Sequence, residues 1–474
     1  MRNRCNKKGK SIPFLLGMLA VGMAVTPAGI HAEEAASASA SAAVQTCPAG
    51  PLALALGERA DVRKRLGLAS GTEYDYRIAE GKSARVTMGG MLVPLAQGTA
   101  TLEIRRPAPP AGTDADAEGT GAPDVCRVPV RIGAAAKPKP SLAPRAESRS
   151  VKVGGRSFAV QAVYIPKGVR TDVGLGRDAI GGTEALASLA KRRHADAAVN
   201  GTFFEAYGGV PEPWGTVIAD GEIAHVGNTG TAIGFAADGT AKMDSLRVRI
   251  GGTVTDAATG RASGWYAYFV NRTPADGANA AILFTPKRGG RIGFARGTAV
   301  VVRGGEVERV AKGENVAIPK DGYVLVYTGG EQAQAARFAK GGRVRYEISY
   351  TNADGQPIDW SDIATAVGAG PRLVKDGKLA IDAKAEGFTE EKILTSAAAR
   401  SGIGIRKDGS IVVVATTATI SQLGGILLQL GAMQGMNLDG GASSGLYASG
   451  KLRTAPGREI SNALLFGQSL AFRP

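Results

Sequence analysis

IVVVATTATISQLGGILLQLGAMQGMNLDGGASS, residues 411–444, is the stretch from which the fold can be read. Ile411 to Thr416 is a continuous apolar, β-branched run and reads as a strand buried on both faces. Thr419 and Gln422 have the spacing of a capping box. Leu423, Ile426, Leu427 and Leu430 then form an i, i+3, i+4, i+7 stripe that Gly431 can terminate. Met436-Asn437-Leu438 reads as a second buried strand, so the stretch predicts a βαβ unit with a right-handed crossover. Asp439 then falls at the carboxyl end of a strand, where open α/β sheets bind ligands. Gly440, Gly441, Ala442, Ser443 and Ser444 are all small, so backbone amides can approach a ligand and two hydroxyls can donate to an oxyanion such as phosphate. The plainer alternative is a tight turn capped by Asp439.

Outward from this stretch, residues 150–474 read as one large α+β domain with mixed β-sheets and few helices, without internal repeats. Thr183 is placed to cap a helix through Arg193 that carries Leu186, Leu189 and Ala190 on one face, and β-runs follow at 322–327 and 343–350. Asn200-Gly201-Thr202-Phe203-Phe204 sets an amide on a glycine turn behind an apolar run, suited to a sugar hydroxyl or a phosphate oxygen; the two phenylalanines read as core. Glu212, between Pro211, Pro213 and Trp214, is a carboxyl that apolar neighbours could keep protonated near neutral pH. Arg372 follows Gly368-Ala369-Gly370-Pro371 and reads as a surface ion pair. Arg400, just ahead of the buried strand, reads as a phosphate ligand. Gly81-Lys82-Ser83 is not a Walker A loop, because Tyr76 stands where the first glycine is needed.

The N-terminus has the order of a secretory signal peptide over 1–32: five basic residues, an apolar run from Ile12 to Val25, then small residues. That run is shorter than the ~20 residues needed to span a bilayer, which predicts cleavage and no stable membrane insertion afterwards. The full chain carries a net charge of +15, and removing the five basic leader residues leaves about +10. For a secreted, extracellular or wall-associated protein this favours wall polymers, acidic glycans or phosphates over nucleic acid; ordinary solubility charge is the alternative. Only three histidines (His31, His194, His225) and three cysteines are present, which leaves no Cys/His zinc cluster and little for a Ser-His-Asp triad. Residues 33–46 read as a flexible spacer, 47–133 as an all-β module of sandwich size, and 134–149 as a Pro/Ala-rich linker.

The module resembles the bacterial Ig-like domains of the BIG2 type in Leu52-Ala53-Leu54-Ala55-Leu56-Gly57-Glu58, in Gly98-Thr99-Ala100-Thr101-Leu102-Glu103-Ile104 and in the Val128-Pro129-Val130 strand. The resemblance puts Cys47 before the first strand and Cys126 on the last, where a disulfide is plausible. The larger domain resembles the phosphodiester glycosidase family over most of residues 155–468. The elements that carry this are Asn200 to Phe204, Gly368 to Gly377, Arg400 to Gly404 and Leu438 to Ser444. Thr202 stands where the family has glycine, and the segment 245–350 has no role that the sequence reveals. The resemblance implies a hydrolase that cleaves the glycosidic bond of a sugar-1-phosphate diester in a phosphodiester-linked glycan or other anionic wall polymer. Asp439 would act as nucleophile or base, Glu212 as partner acid or base, and Arg400 as charge stabiliser. Asn200, Gly201, Gly370, Gly440, Gly441, Ser443 and Ser444 would bind substrate. It calls for no cofactor and no metal ligand. Two alternatives stay open: a divalent-metal phosphodiesterase cutting P–O, and a non-catalytic wall-polymer-binding protein.

Overall fold

The computed structural model describes residues 50–69, 74–106 and 125–471. The leader, the spacer and Cys47 lie outside the described residues. Within these residues the chain is mostly β with few helices, and no helix is long and apolar enough to cross a membrane.

In the N-terminal module, a four-stranded sheet has the order Leu52–Ala55, Val125–Gly133, Gly98–Arg105, Asp75–Glu80, with the first pair parallel. Strands Ala60–Asp61, Met91–Pro94 and Ala84–Val86 form a second, smaller sheet. The alternation of Val125–Gly133 buries Val128, Val130 and Ile132 against Leu52, Leu54, Leu102 and Ile104. Cys126 on this strand is disulfide-bonded.

The module is not a bead on a linker. Arg59, 8% exposed, reaches into the larger domain, where it bonds Asp172, Asp220, the Thr365 hydroxyl at 3.1 Å and the Thr171 carbonyl. Arg85 of the module also pairs with Asp220, Lys287 joins from the far side at 3.1 Å, and Arg193 pairs with Asp172. Burial works against the Asp220 charge, but Lys287, Arg85 and Arg59 hold its carboxyl below the usual range. The segment read as a linker already contributes structure: strand Arg145–Val153 starts inside it and forms the edge of a seven-stranded sheet.

That sheet has the order Lys378–Leu379, Arg372–Lys375, Ala432–Asn437, Ala398–Arg406, Ile411–Ala418, Arg156–Ile165, Arg145–Val153. The β-branched run 411–416 is buried as its composition predicts, and helix Ile420–Gln429 follows with both halves of the Thr419–Gln422 capping box formed. Its Leu423, Ile426 and Leu427 cover one sheet face, and Gly431 leaves the helix at φ +87°. The βαβ expectation is corrected in one respect. Strand Ala398–Arg406 lies antiparallel between the two strands, so they are parallel but not neighbours, and Asp439 does not sit at a parallel-sheet switch point.

A second sheet, of five strands, runs Thr171–Leu175, Asn462–Phe466, Ala197–Asn200, Leu446–Ala448, Lys451–Thr454; a third contains Val217–Ala219, Thr231–Ala236 and Ile363–Ala369. One apolar core joins all three through Val163, Val199, Ile233, Val367, Val413, Met436 and Phe466. The segment 245–350 builds most of a further nine-stranded sheet, with its own core around Trp265, Leu283, Val300 and Leu325. Thr183 does not cap the helix Leu186–Arg192, whose N-cap is Ala185. Its hydroxyl instead donates to Glu459 at 2.7 Å.

Candidate active site around Asp439

Strands Ala197–Asn200 and Ala432–Asn437 belong to different sheets, and their ends meet where the Asp439 amide donates to the Gly201 carbonyl at 3.0 Å. Asn200, 1% exposed, ties the junction together. Its Nδ2 donates to the Asp439 carbonyl at 2.8 Å, while its Oδ1 accepts from the Ser401 hydroxyl at 2.6 Å and from the Gly445 amide at 3.0 Å. It thus holds both ends of the loop 439–445.

The geometry gives Asn200 and Gly201, expected to bind substrate, bonds within the protein. The Asn200 carboxamide is spent inside the protein, and the Gly201 amide and carbonyl bond to Asn462 and Asp439. Gly201 is glycine for packing, because a Cβ there would lie 2.0 Å from Asn462 Oδ1. Gly370 is likewise a backbone strut: its amide donates to the Asn437 carbonyl, and its carbonyl accepts from Asn437 Nδ2, both at 2.9 Å. Phe204 is core as expected, and Phe203 is half-buried against Phe388 at 5.9 Å.

The loop itself remains available. The Asp439 carboxylate accepts from the Gly440 amide at 2.8 Å and from the Ser443 hydroxyl. Burial nevertheless dominates and pushes its carboxyl up to about 6, against the pull of those bonds and of the Arg458 and Lys392 charges. The amides of Gly441 and Ala442 are exposed and have no acceptor among the described residues. Ser444 Oγ and Asn437 Oδ1 are buried and have no hydrogen-bond partner among the described residues.

Arg400 lies beneath Gly440. A Cβ on that glycine would be 3.5 Å from Arg400 Nη1. The guanidinium is 3% exposed and is held by carbonyls alone: Lys392 at 2.6 Å, Ser396 at 2.8 Å and Ala418 at 3.3 Å. Among the described residues no carboxylate pairs with it. Removing a cation from water is costly, and here no fixed anion offsets the cost beside a loop with free amides. Arg372, by contrast, forms no ion pair among the described residues: its guanidinium donates to the Met243 carbonyl at 3.1 and 3.3 Å.

Glu212 is engaged by Arg288 and Thr273. Arg288 Nη1 lies 2.5 Å from Oε1, the Thr273 hydroxyl donates at 2.6 Å, and the Thr273 amide reaches both oxygens at 3.0 Å. These partners anchor the loop 205–214 to the nine-stranded sheet region. His225 is also buried, and burial drives its imidazole down to about 4, so it is neutral there, with Nδ1 on the Gly215 carbonyl at 3.0 Å. Among the described residues no three His, Cys, Asp or Glu side chains converge as a metal site.

Three residues that no motif marks also reach this region. Arg458 and Tyr207 come from separate loops and Lys392 from the short helix Glu391–Leu394, and Asp439 interacts electrostatically with each.

Residues 296–467 match a sequence model of the phosphodiester glycosidase family. The match contains Gly370, Arg400 and the whole 439–444 loop and leaves out Asn200, Gly201 and Glu212, so it is narrower than the 155–468 resemblance. No curated protein sequence matches significantly. The fold is shared with a hypothetical protein from Synechocystis (21% identity, TM-score 0.58, covering 84% of this chain and 81% of that one). It is shared too with a protein from Burkholderia pseudomallei K96243 described as exported (20% identity, TM-score 0.54, 84% and 97%). A more distant likeness is to the catalytic domain of zebrafish N-acetylglucosamine-1-phosphodiester alpha-N-acetylglucosaminidase, auto-inhibited by its pro-peptide (14% identity, TM-score 0.39, 69% and 84%).

Proposed function

We propose that this protein hydrolyses the glycosidic C–O bond of a sugar-1-phosphate diester in an extracellular or wall glycan. The observation that carries the proposal is the buried Arg400 cation, without a carboxylate partner, beneath the loop that holds Asp439. The family match over 296–467 supports the reaction class, and the leader-like N-terminus and basic balance support export and an anionic glycan. The Ig-like resemblance of the module fits a wall-facing protein.

The chemistry follows from the groups available. A water molecule attacks the anomeric carbon and gives its proton to the Asp439 carboxylate, which with a pKa of about 6 is a usable base near neutral pH. The C–O bond to phosphate breaks, and the phosphomonoester leaves with the electron pair. Because that leaving group is a weak base, no strong general acid is required, and the charge developing on it is met by Arg400 and the Gly441 and Ala442 amides. One carboxylate therefore suffices, consistent with Glu212 being held by Arg288.

The test is to incubate the full chain with a panel of sugar-1-phosphate diesters and follow free sugar and its anomeric configuration by NMR. Release of free sugar and phosphomonoester with inversion is expected. Release of an alcohol with sugar-1-phosphate retained would mean P–O cleavage and overturn the proposal.

A further inference from the structure

The rim of the site carries a second cation that the reaction above does not use. The Gly457 amide donates to the Ala442 carbonyl at 2.7 Å, so the segment 456–458 runs along the 439–445 loop and delivers Arg458 to its edge. The Arg458 guanidinium carbon lies 5.0 Å from the centroid of the Tyr207 ring, and Nη2 donates to the Tyr207 hydroxyl at 3.2 Å. Tyr207 is 81% exposed, yet its loop is fixed, because the Glu205 carboxylate accepts from the Tyr207 amide at 3.0 Å and from the Gly208 amide at 3.2 Å. A half-buried guanidinium is thereby held in one orientation by a ring and a hydroxyl instead of by an acid.

The charges around Asp439 can be counted. Lys392 is neutralised by Glu390 at 2.7 Å. Arg400 and Arg458 have no carboxylate salt bridge among the described residues, and Arg458 interacts electrostatically with Asp439. A phosphodiester brings one negative charge, which Arg400 matches from below. With Asp439 ionised as the base, its charge is set against Arg458, whose fork stays oriented at the open side without a salt bridge among the described residues.

We propose that Arg458, held by Tyr207, is a specificity-determining residue that binds a second anionic group of the substrate beside the scissile phosphodiester. The preferred substrate is then a glycan in which another phosphate or carboxylate lies next to the cleaved linkage, as in a repeating anionic polymer, and not an isolated neutral-tailed diester. This deepens the hydrolase reading and rests on it. Tyr207 acts through Arg458 and is a positioning residue.

The experiment uses the full chain carrying Asp439→Asn, so that binding is measured without turnover. Calorimetry compares a methyl sugar-1-phosphate diester with its analogue bearing a second phosphate on the aglycone. Arg458→Gln is expected to weaken the doubly charged probe about tenfold while changing the singly charged probe less than about twofold. Tyr207→Ala should show part of that loss and Tyr207→Phe, which keeps the ring, less of it. Equal weakening of both probes, or of neither, overturns the inference. Turnover by the unsubstituted chain separates the two claims. Sugar release without an Arg458-dependent preference removes the second anion site and leaves the hydrolase, whereas an Arg458-dependent preference without sugar release keeps the anion site and removes the hydrolase.

Discussion

The Asn200 carboxamide donates to the Asp439 carbonyl oxygen at 2.8 Å, joining residues 239 positions apart in the chain. With its two other bonds, to Ser401 and Gly445, it sets the position of the Asp439 backbone and hence of the carboxylate. Asn200→Ala should therefore lower kcat by about 10²-fold with little change in KM, since a misplacement near 1 Å is enough for such a loss. A large rise in KM at unchanged kcat would instead return Asn200 to direct substrate contact.

Asp439 can be tested by stability and rate together. Its folded pKa of about 6 lies above that of an unfolded aspartate, so the charged form is disfavoured in the native state. The favourable contribution of the protonated group is complete below about pH 4 and is lost as pH rises through about 6. Asp439→Asn should abolish sugar release yet raise Tm at pH 7.5, and that gain should vanish toward pH 4. A lowered Tm at pH 7.5 would show that the carboxylate is a net stabiliser.

For the unsubstituted enzyme, kcat/KM should rise with pH through about 6 and level off above it, because the base must be ionised. A limb that falls through about 6 would make Asp439 the acid.

Arg400→Lys keeps the charge but loses the fork held by Lys392, Ser396 and Ala418. Inorganic phosphate should raise the Tm of the unsubstituted chain, and Arg400→Lys should remove that increase and reduce kcat/KM by about 10²-fold. Undiminished protection by phosphate would place the anion seat elsewhere.

Glu212→Gln leaves Arg288 without its charge partner and should cost about 1–3 kcal/mol of stability. Activity per folded molecule should stay within about twofold of the unsubstituted enzyme. Loss of turnover in a fully folded variant would bring Glu212 back into the reaction.

How much of this was legible in the sequence depended on how local its cause is. The capping box of Thr419 and Gln422 and the burial of 411–416 arise within a few residues of chain, and both are present in the structure. The partner of a strand is not a local property, so nothing in 411–438 revealed that 398–406 would enter between its strands. Thr183 illustrates the same limit, since its hydroxyl is taken by Glu459, 276 residues away. At the site, the small-residue loop and Arg400 were visible as motifs. The ion pair of Glu212 was not legible, because its partner Arg288 lies 76 residues on. Arg458 and Tyr207 on loops and Lys392 on a single-turn helix are isolated residues, without any pattern to mark them.

The buried Arg59 bears on how this protein could have been assembled in evolution. A small β unit that contributes Arg59 to Asp172 and Asp220 and Arg85 to Asp220 cannot be exchanged for another of similar shape without leaving these buried carboxylates to Arg193 and Lys287 alone among their cations, a destabilising change because it uncovers buried charge. The two halves are thus heritable only as a pair, and gene fusions that swap the leading unit would select against themselves unless they carry an arginine at the same place.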